Sequence, residues 1–548
     1  MKIVAVLIAD LDKTPIGTTS RLADDLRGVA ILRRTVDRIK RCKRVEQIVV
    51  AASLLEADRV RSILAGTGAA VEAVDSPPPP YRRLVTVARK WSLDSWRGGL
   101  GGSAAFDEYT DTAVHLAIAR KTEADAVVVV APGSVLLDPK MLDAMIEHHI
   151  ANADDARLTF AQAPPGLTGT IIQTGVLEEL AAQNAPPGWG LAYKPDAPAI
   201  DVAFRACCYP APQSVRHSAG RLTADTDRSI RMIERVLNRC DDPSAKQIGR
   251  LLIEDAGIIE SLPREIEIEL TTDDPLPDTR LRLRGHRAAS RGPIAVKIVE
   301  RLATELVLGN DDALVVLGGH GDPLLHPHFA AIIGSLRRAG VYGICIYTTG
   351  QSLTDDALSA IVEHQVDVAV IHVDAWKPET YVKLNGGGTG ASTCGLDVVN
   401  AAVDRLIRAR TEARQPAPIV IPQMTKCVEN VGEMDEFFDG WIRRGGCATI
   451  AGFSDYGGRL DNLAVTDTSP PRRSACRRLW RRCMVLADGS VVACDQDAAA
   501  LLGLGHIDTS SLGDIWNGQA ANHLRALHQS LQSDEQSLCA RCSQWHRH

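Results

Sequence analysis

Aromatic side chains are scarce in this chain. The 7 Phe, 8 Trp and 8 Tyr make up 4% of 548 residues, so the cores must be built mainly from aliphatic side chains. No apolar run approaches the roughly 18–20 residues that a membrane-spanning helix needs, so no span is expected. The opening run from Lys2 to Ala9 is short and ends at Asp10, which reads as a first strand and not a signal peptide; the expected compartment is the cytoplasm. An excess of positive charge is also missing. With 61 Lys+Arg against 68 Asp+Glu the net charge is −7, which offers no general attraction for nucleic acid or anionic lipid. There is no short repeat and no long low-complexity tract. The one proline run, Pro77–Pro80, and the glycine-rich stretch from Gly98 to Gly102 read as insertions within a domain.

What is present is ordinary globular composition, 45% hydrophobic and 24% charged, which excludes wholesale disorder. At roughly 100–200 residues per domain the length suggests about three to four domains. The 13 cysteines are unevenly spread: Cys476, Cys483, Cys494, Cys539 and Cys542 all fall in the last stretch of the chain. Structural disulfides are not expected in a cytosolic chain, so this group points to a metal or iron–sulfur centre.

The chain reads as three regions, all α/β in the first two. Residues 1–240 alternate strands (Lys2–Ile8, Gln47–Ala52, Ala126–Ala131) with helices (Val29–Arg41, Leu55–Leu64, Asp138–His149), and Asp227 is placed to cap a helix over Arg228–Leu237. The run Val127–Val130, apolar on both faces, suits a doubly wound parallel sheet covered by helices. Residues 241–460 form a longer βα series. Strands are expected at Glu265–Leu270, Ala313–Leu317, Gly343–Thr348, Asp367–Val373, Ile419–Gln423 and Ala448–Ala451. Helices are expected at Ile294–Leu306, Phe329–Arg338, Asp355–His364, Leu396–Arg410 and Met434–Arg443. Six such units fit a partial (β/α)6 barrel with functional loops at the carboxyl ends of its strands. Residues 461–548 are a small appended domain of short segments, rich in Arg and Cys.

Several stretches of the second and third regions resemble the radical SAM/SPASM proteins. The run from Gly318, Gly319 and His320 through Gly321 and Asp322 to Pro327 is similar to the glycine-rich segment that lines the SAM amino group. Thr348-Thr349-Gly350, Ile371–Ala375 (with His372 where that family has Ser) and Val428-Glu429-Asn430 fall where the family carries further site segments. The C-terminal stretch resembles the SPASM extension more closely, through Cys476, Asp488-Gly489, Cys494, Leu504–Ile507, Ile515-Trp516-Asn517 and Cys539-Ala540-Arg541-Cys542. Residues 1–240 more weakly resemble cytidylyltransferase-like, GT-A-like nucleotidyltransferases, in Arg21, Gly28–Leu32 and Arg221–Thr226. The combined arrangement is that of the spiro-SPASM family.

The resemblance also shows what is missing. Radical SAM chemistry takes three thiolates, spaced Cys-x3-Cys-x2-Cys after the first barrel strand, and here Asp273–Leu281 holds no cysteine. Carboxylates and hydroxyls are poor iron–sulfur ligands, so the barrel is expected not to cleave SAM; Gly318, Gly319, Gly321 and Asp322 then stand as a vestigial SAM segment and SAM is a doubtful cofactor. Cys345, inside an apolar strand, reads as core. In the first region only Lys13, Gly17 and Arg21 suit phosphate, and Ala131-Pro132-Gly133-Ser134 replaces the expected metal-binding Asp. Asp225 alone is left as a possible Mg²⁺ ligand.

The metal ligands expected are Cys476, Cys494, Cys539 and Cys542, with Cys483 a buried bystander. Four thiolates suit either a closed 4Fe–4S cluster or a tetrahedral zinc ion, and spacing leaves both open; the SPASM resemblance implies the cluster. Arg472, Arg473, Arg477, Arg478, Arg481 and Arg482 surround the first ligand, either to offset cluster charge or as a solvated patch. Nucleic acid is not expected, because beyond Trp480 no aromatics interleave these arginines. His320, His326 and His328 read as surface histidines, and Asp374 and Glu429 as capping or solvated acids. Together these readings describe an iron–sulfur protein acting in electron transfer, binding or scaffolding with an unidentified protein or small-molecule partner. A radical SAM oxidoreductase and a sugar-nucleotide or cell-surface polysaccharide nucleotidyltransferase are the alternatives.

Overall fold

The computed structural model describes residues 1–197, 201–276, 278–284, 288–386 and 395–547; Pro277, within the cysteine-free loop, lies outside them. The chain divides into two compact units, Met1–Ala256 and Gly257–His548. Composition alone places boundaries at 240 and 460. The first unit runs on to Ala256 because helix Ala245–Glu254 buries Ile248 and Leu252 in its core. Residues 461–548 belong with the barrel because one of their strands hydrogen-bonds to the barrel's first strand.

The first unit is a seven-stranded sheet. Its strands are β1 (Ile3–Ala9), β2 (Gln47–Ser53), β3 (Ala70–Val74), β4 (Ala126–Val129), β5 (Leu158–Ala161), β6 (Thr170–Gln173) and β7 (Cys208–Tyr209). Their order is β3-β2-β1-β4-β6-β5-β7, with β3, β2, β1 and β4 mutually parallel and β6 antiparallel to β4. Ile3, Ala5 and Leu7 enter one hydrophobic core and Val4 and Val6 the other, so both faces are covered, as a doubly wound sheet requires. Two local expectations change. The helix expected over Val29–Arg41 is shorter, Ile31–Ile39, because Val29–Ala30 pairs with Asp25–Leu26 as a small antiparallel ribbon. Helix Asp227–Arg239 is capped by Thr226, not Asp227: the Thr226 hydroxyl accepts the Ser229 N–H, while Asp227 turns to Arg21.

The second unit has six consecutive parallel strands: β8 (Glu265–Glu269), β9 (Leu314–Gly318), β10 (Gly343–Thr348), β11 (Val368–His372), β12 (Ile419–Lys426) and β13 (Thr449–Gly452). Helices Val296–Val307, Phe329–Ala339, Asp355–Glu363, Leu396–Glu412 and Met434–Gly445 supply the crossovers. Every residue of β9 and β11 is buried, the pattern of a parallel sheet with helices outside and side chains within. This is the expected (β/α)6 series. Beyond it, β14 (Arg482–Val485) lies parallel to β8, and β15 (Ser490–Val492) and β16 (Gly503–His506) continue antiparallel, so one nine-stranded sheet carries both the barrel and the cysteine-rich segment. Trp516 and Ile515 bury against this extension, and Trp516 Nε1 donates to the Glu260 carbonyl.

Candidate functional site

In the second unit, Cys476 precedes the short helix Arg477–Trp480, Cys494 follows β15, Cys539 lies within the helix Ser537–Arg541 and Cys542 caps its C-terminus. Three of the thiols sense Cys476. Burial, then Cys542 and Cys476, push the Cys539 thiol up to about 12, and Cys476 also raises Cys542 and Cys494. Among the described residues, no group of three or more His, Cys, Asp or Glu is set as it would be around a single metal ion. Three thiols accept a hydrogen bond from the backbone N–H two residues on: Arg478 to Cys476, Gln496 to Cys494, and Gln544 to Cys542 at 3.2 Å. Such donors stabilise a charged sulfur. Cys483 has none; it lies in β14, 2% exposed, and burial alone pushes its thiol up to about 12.

Two further donors test whether these residues suit a cluster. His528 Nδ1 accepts the Cys476 N–H at 3.3 Å, so the ring proton sits on Nε2. That Nε2 is buried without a partner, and burial lowers the ring to about 4, which keeps it neutral. Arg473 donates through Nη2 to the Cys539 carbonyl and leaves Nε buried and unpaired. Bridging sulfides and thiolates are the hydrogen-bond acceptors that an iron–sulfur cluster would bring to this place. The donor set therefore fits a four-thiolate cluster. Of the six arginines, Arg473, Arg478 and Arg482 turn inward and Arg472 and Arg477 are exposed. Arg478 and Arg482 both pair with Asp495; burial raises that carboxyl, but the two guanidinium groups hold it at about 2.

Ion pairs lie at the carboxyl ends of the barrel strands. The segment after β8 reaches back into the barrel as Arg280, Arg282 and Arg284, none of which sequence reasoning singled out. Arg282 pairs with Asp374 at 2.7 Å and Arg280 with Glu429 at 2.8 Å, so these acids are neither capping nor solvated. Arg284 Nη1 donates to the carbonyls of Gly319 and Gly321 at 2.8 and 2.6 Å. A guanidinium thus occupies the oxygens of the segment expected to line an amino group. Gly321 approaches the chain so closely that a Cβ there would lie 2.2 Å from the Thr271 carbonyl oxygen, and Gly319 has φ of 84°. Asp322 accepts from both Thr348 and Thr349 at 2.8 Å, tying the segment to the Thr-Thr-Gly turn. His320 and His326, expected at the surface, are 2% and 4% exposed and bond the carbonyls of Leu283 and Ile294, because the loop folds inward over the barrel; His328 stays outside. Cys345 is core, as expected.

In the first unit the Mg²⁺ reading of Asp225 meets a different partner. Arg221 donates to both of its carboxylate oxygens at 2.6 Å, and Tyr109 bonds it as well. Arg221 continues to Glu108, which also holds Arg89, all three fully buried. The loop after β1 is filled in the same way: Asp10 Oδ1 accepts the N–H groups of Asp12 and Lys13 at 2.9 and 2.8 Å, which are donors a phosphate would use. The cleft between Asp10, Arg21, Gly133 and Asp225 encloses about 20 Å³, space on the scale of a single water.

Comparison with known proteins gives one family match, the SPASM iron–sulfur cluster-binding domain, over residues 476–543. An uncharacterized protein of Treponema pallidum (strain Nichols) is 21% identical over 322 residues, 56% of this chain and 85% of its own. Among solved structures, BtrN in complex with AdoMet and 2-DOIA is similar over 52% of this chain and 94% of its own, at 17% identity and a TM-score of 0.34. Streptococcus suis SuiB bound to precursor peptide SuiA covers 54% and 78%, at 12% identity and TM-score 0.39. A cytidylyltransferase from Leptospira borgpetersenii covers 46% and 93%, at 18% identity and TM-score 0.32. At such scores these likenesses assign no chemistry to this chain. The stretch that carries Cys476, Cys494, Cys539 and Cys542, residues 476–543, is thus similar to the SPASM iron–sulfur cluster-binding domain.

Proposed function

We propose that the chain is an iron–sulfur protein of the radical SAM/SPASM type, with a single 4Fe–4S cluster on Cys476, Cys494, Cys539 and Cys542 and a barrel that does not cleave SAM. Its role is electron transfer, binding or scaffolding, in the reducing cytoplasm where free thiols persist. The observation that carries the cluster is the pair of buried, acceptorless donors, His528 Nε2 and Arg473 Nε, on side chains that hydrogen-bond the backbone of Cys476 and Cys539. When bound, such a cluster supplies one-electron chemistry; the chain holds it and sets its electrostatics through Arg473 and Arg478. Against SAM cleavage stand the cysteine-free loop and the Arg284 guanidinium on the Gly319 and Gly321 carbonyls. Against nucleotide transfer stands the Arg221–Asp225 pair. The test is anaerobic purification with iron and sulfide quantification. Four irons and four sulfides per chain support the reading; zinc without sulfide overturns it, and release of 5′-deoxyadenosine from SAM overturns the second half.

A further inference from the structure

Arg282 is 6% exposed, and only one side of its guanidinium is engaged. Nη1 donates to Asp374 Oδ2 at 2.7 Å, and Asp374 Oδ1 accepts the Thr425 N–H at 3.0 Å, so that carboxylate is committed on both oxygens. The opposite edge, Nε and Nη2, is buried and meets no acceptor. Buried donors are nearly always paired, and a buried cation with half its donors free calls for an explanation. The Nε/Nη2 edge is also the planar fork that matches two oxygens of a carboxylate or phosphate.

The surroundings suit an anion. Arg284 lies alongside, fixed by the Gly319 and Gly321 carbonyls. Asp274 Oδ2 lies 3.7 Å from Arg284 Nε and accepts no hydrogen bond; burial pushes this carboxyl up, while Arg284 and Arg282 pull it down. His372 is kept neutral by burial and by the same two arginines. Tyr456 stands close to both guanidinium groups, with its ring centroid 6.0 Å from that of His320. Asp374 and Tyr456 hold φ of 62° and 52°, left-handed values that are uncommon for such residues and that collect at ligand sites. All of this lies at the carboxyl ends of parallel strands, where α/β proteins bind ligands.

We propose that the barrel mouth binds a small molecule through an oxyanion group, a carboxylate or a phosphate, seated on the free Nε/Nη2 edge of Arg282. Asp374 acts as the positioning residue that turns this edge inward. The proposal stands on residues outside the cysteine cluster, so its failure would leave the cluster assignment intact. The test is calorimetric titration and thermal unfolding of the full chain with inorganic phosphate and, separately, acetate, at ionic strength held constant with KCl. The wild type should bind at least one of the two saturably, and the preferred anion identifies the group. Arg282→Gln should abolish the response, and Arg282→Lys, which keeps the charge but loses the fork, should weaken it at least about tenfold. Arg405→Gln, which removes one charge from the surface pair with Asp355, should leave it unchanged. No saturable response beyond that to KCl overturns the proposal, as does full retention by Arg282→Gln. If Arg282→Gln does not fold, unchanged affinity in Arg282→Lys overturns it equally.

Discussion

Arg221 grips Asp225 through two parallel hydrogen bonds of 2.6 Å, with the side chains 0% and 5% exposed. The pair turns an acid placed for a divalent cation into one half of a buried salt bridge. Protein groups are likewise engaged at the other segments the sequence marked: Asp10 takes loop N–H groups, and Arg284 takes glycine carbonyls.

Asp225 is therefore expected to matter for folding and not for nucleotide binding. Calorimetry with CTP and Mg²⁺ should show no tight binding. Asp225→Ala should destabilise the first unit by about 3–5 kcal/mol in denaturant unfolding, the usual consequence of removing one member of a buried ion pair. Tight CTP binding abolished by that substitution would mean a working transferase site.

Anaerobic protein given dithionite and SAM should release no 5′-deoxyadenosine above the no-enzyme level. Arg284→Ala should not restore release, because freeing the glycine carbonyls supplies no thiolate to the cysteine-free loop. Multiple turnovers in either protein contradict this.

Cys494→Ala should remove the visible charge-transfer absorption and leave the C-terminal segment protease-sensitive, since cluster binding stabilises a small module of this kind. Cys483→Ala should keep both colour and iron. The reverse pattern would place Cys483 among the ligands.

His528→Phe should retain iron but lower the cluster's reduction potential and shift its reduced-state EPR spectrum, because a donor beside the cluster favours the more negative, reduced form. An unchanged potential would make His528 a packing residue that only holds the Cys476 backbone.

Glu267 accepts the Gly319 N–H at 2.9 Å, and burial, reinforced by Asp495, pushes its carboxyl up to about 7. A folded-state value above the unfolded one stabilises at low pH, and that contribution disappears as pH rises through the folded value. Stability of the second unit should thus fall by on the order of 1–3 kcal/mol between about pH 5 and pH 7.5. Urea unfolding across that window checks it, and Glu267→Gln should flatten the slope. A flat wild-type profile would contradict it.

Much of the scaffold follows from local pattern. The all-buried runs Leu314–Gly318 and Val368–His372 can satisfy their side chains only between layers, and β10 matches its expected bounds of Gly343–Thr348 at both ends. The iron–sulfur character of the C-terminal stretch was legible too, because cysteines in that spacing have few other uses, and residues 476–543 match the SPASM domain. What the linear pattern could not reveal is who partners whom across long separations. Asp374 is a lone acid in the sequence, yet Arg282 lies 92 positions before it; Asp225 looks like a metal ligand until Arg221 and Tyr109 close on it. The alternation Arg280-Leu281-Arg282-Leu283-Arg284 resembles a half-exposed strand, with leucines inside and arginines in water. Tertiary structure buries Arg282 and Arg284 along with Leu281 and Leu283, because the barrel mouth supplies carboxylates and carbonyls that bulk solvent otherwise would. Charge compensation inside a fold depends on distance in space, and composition and periodicity carry no record of that distance.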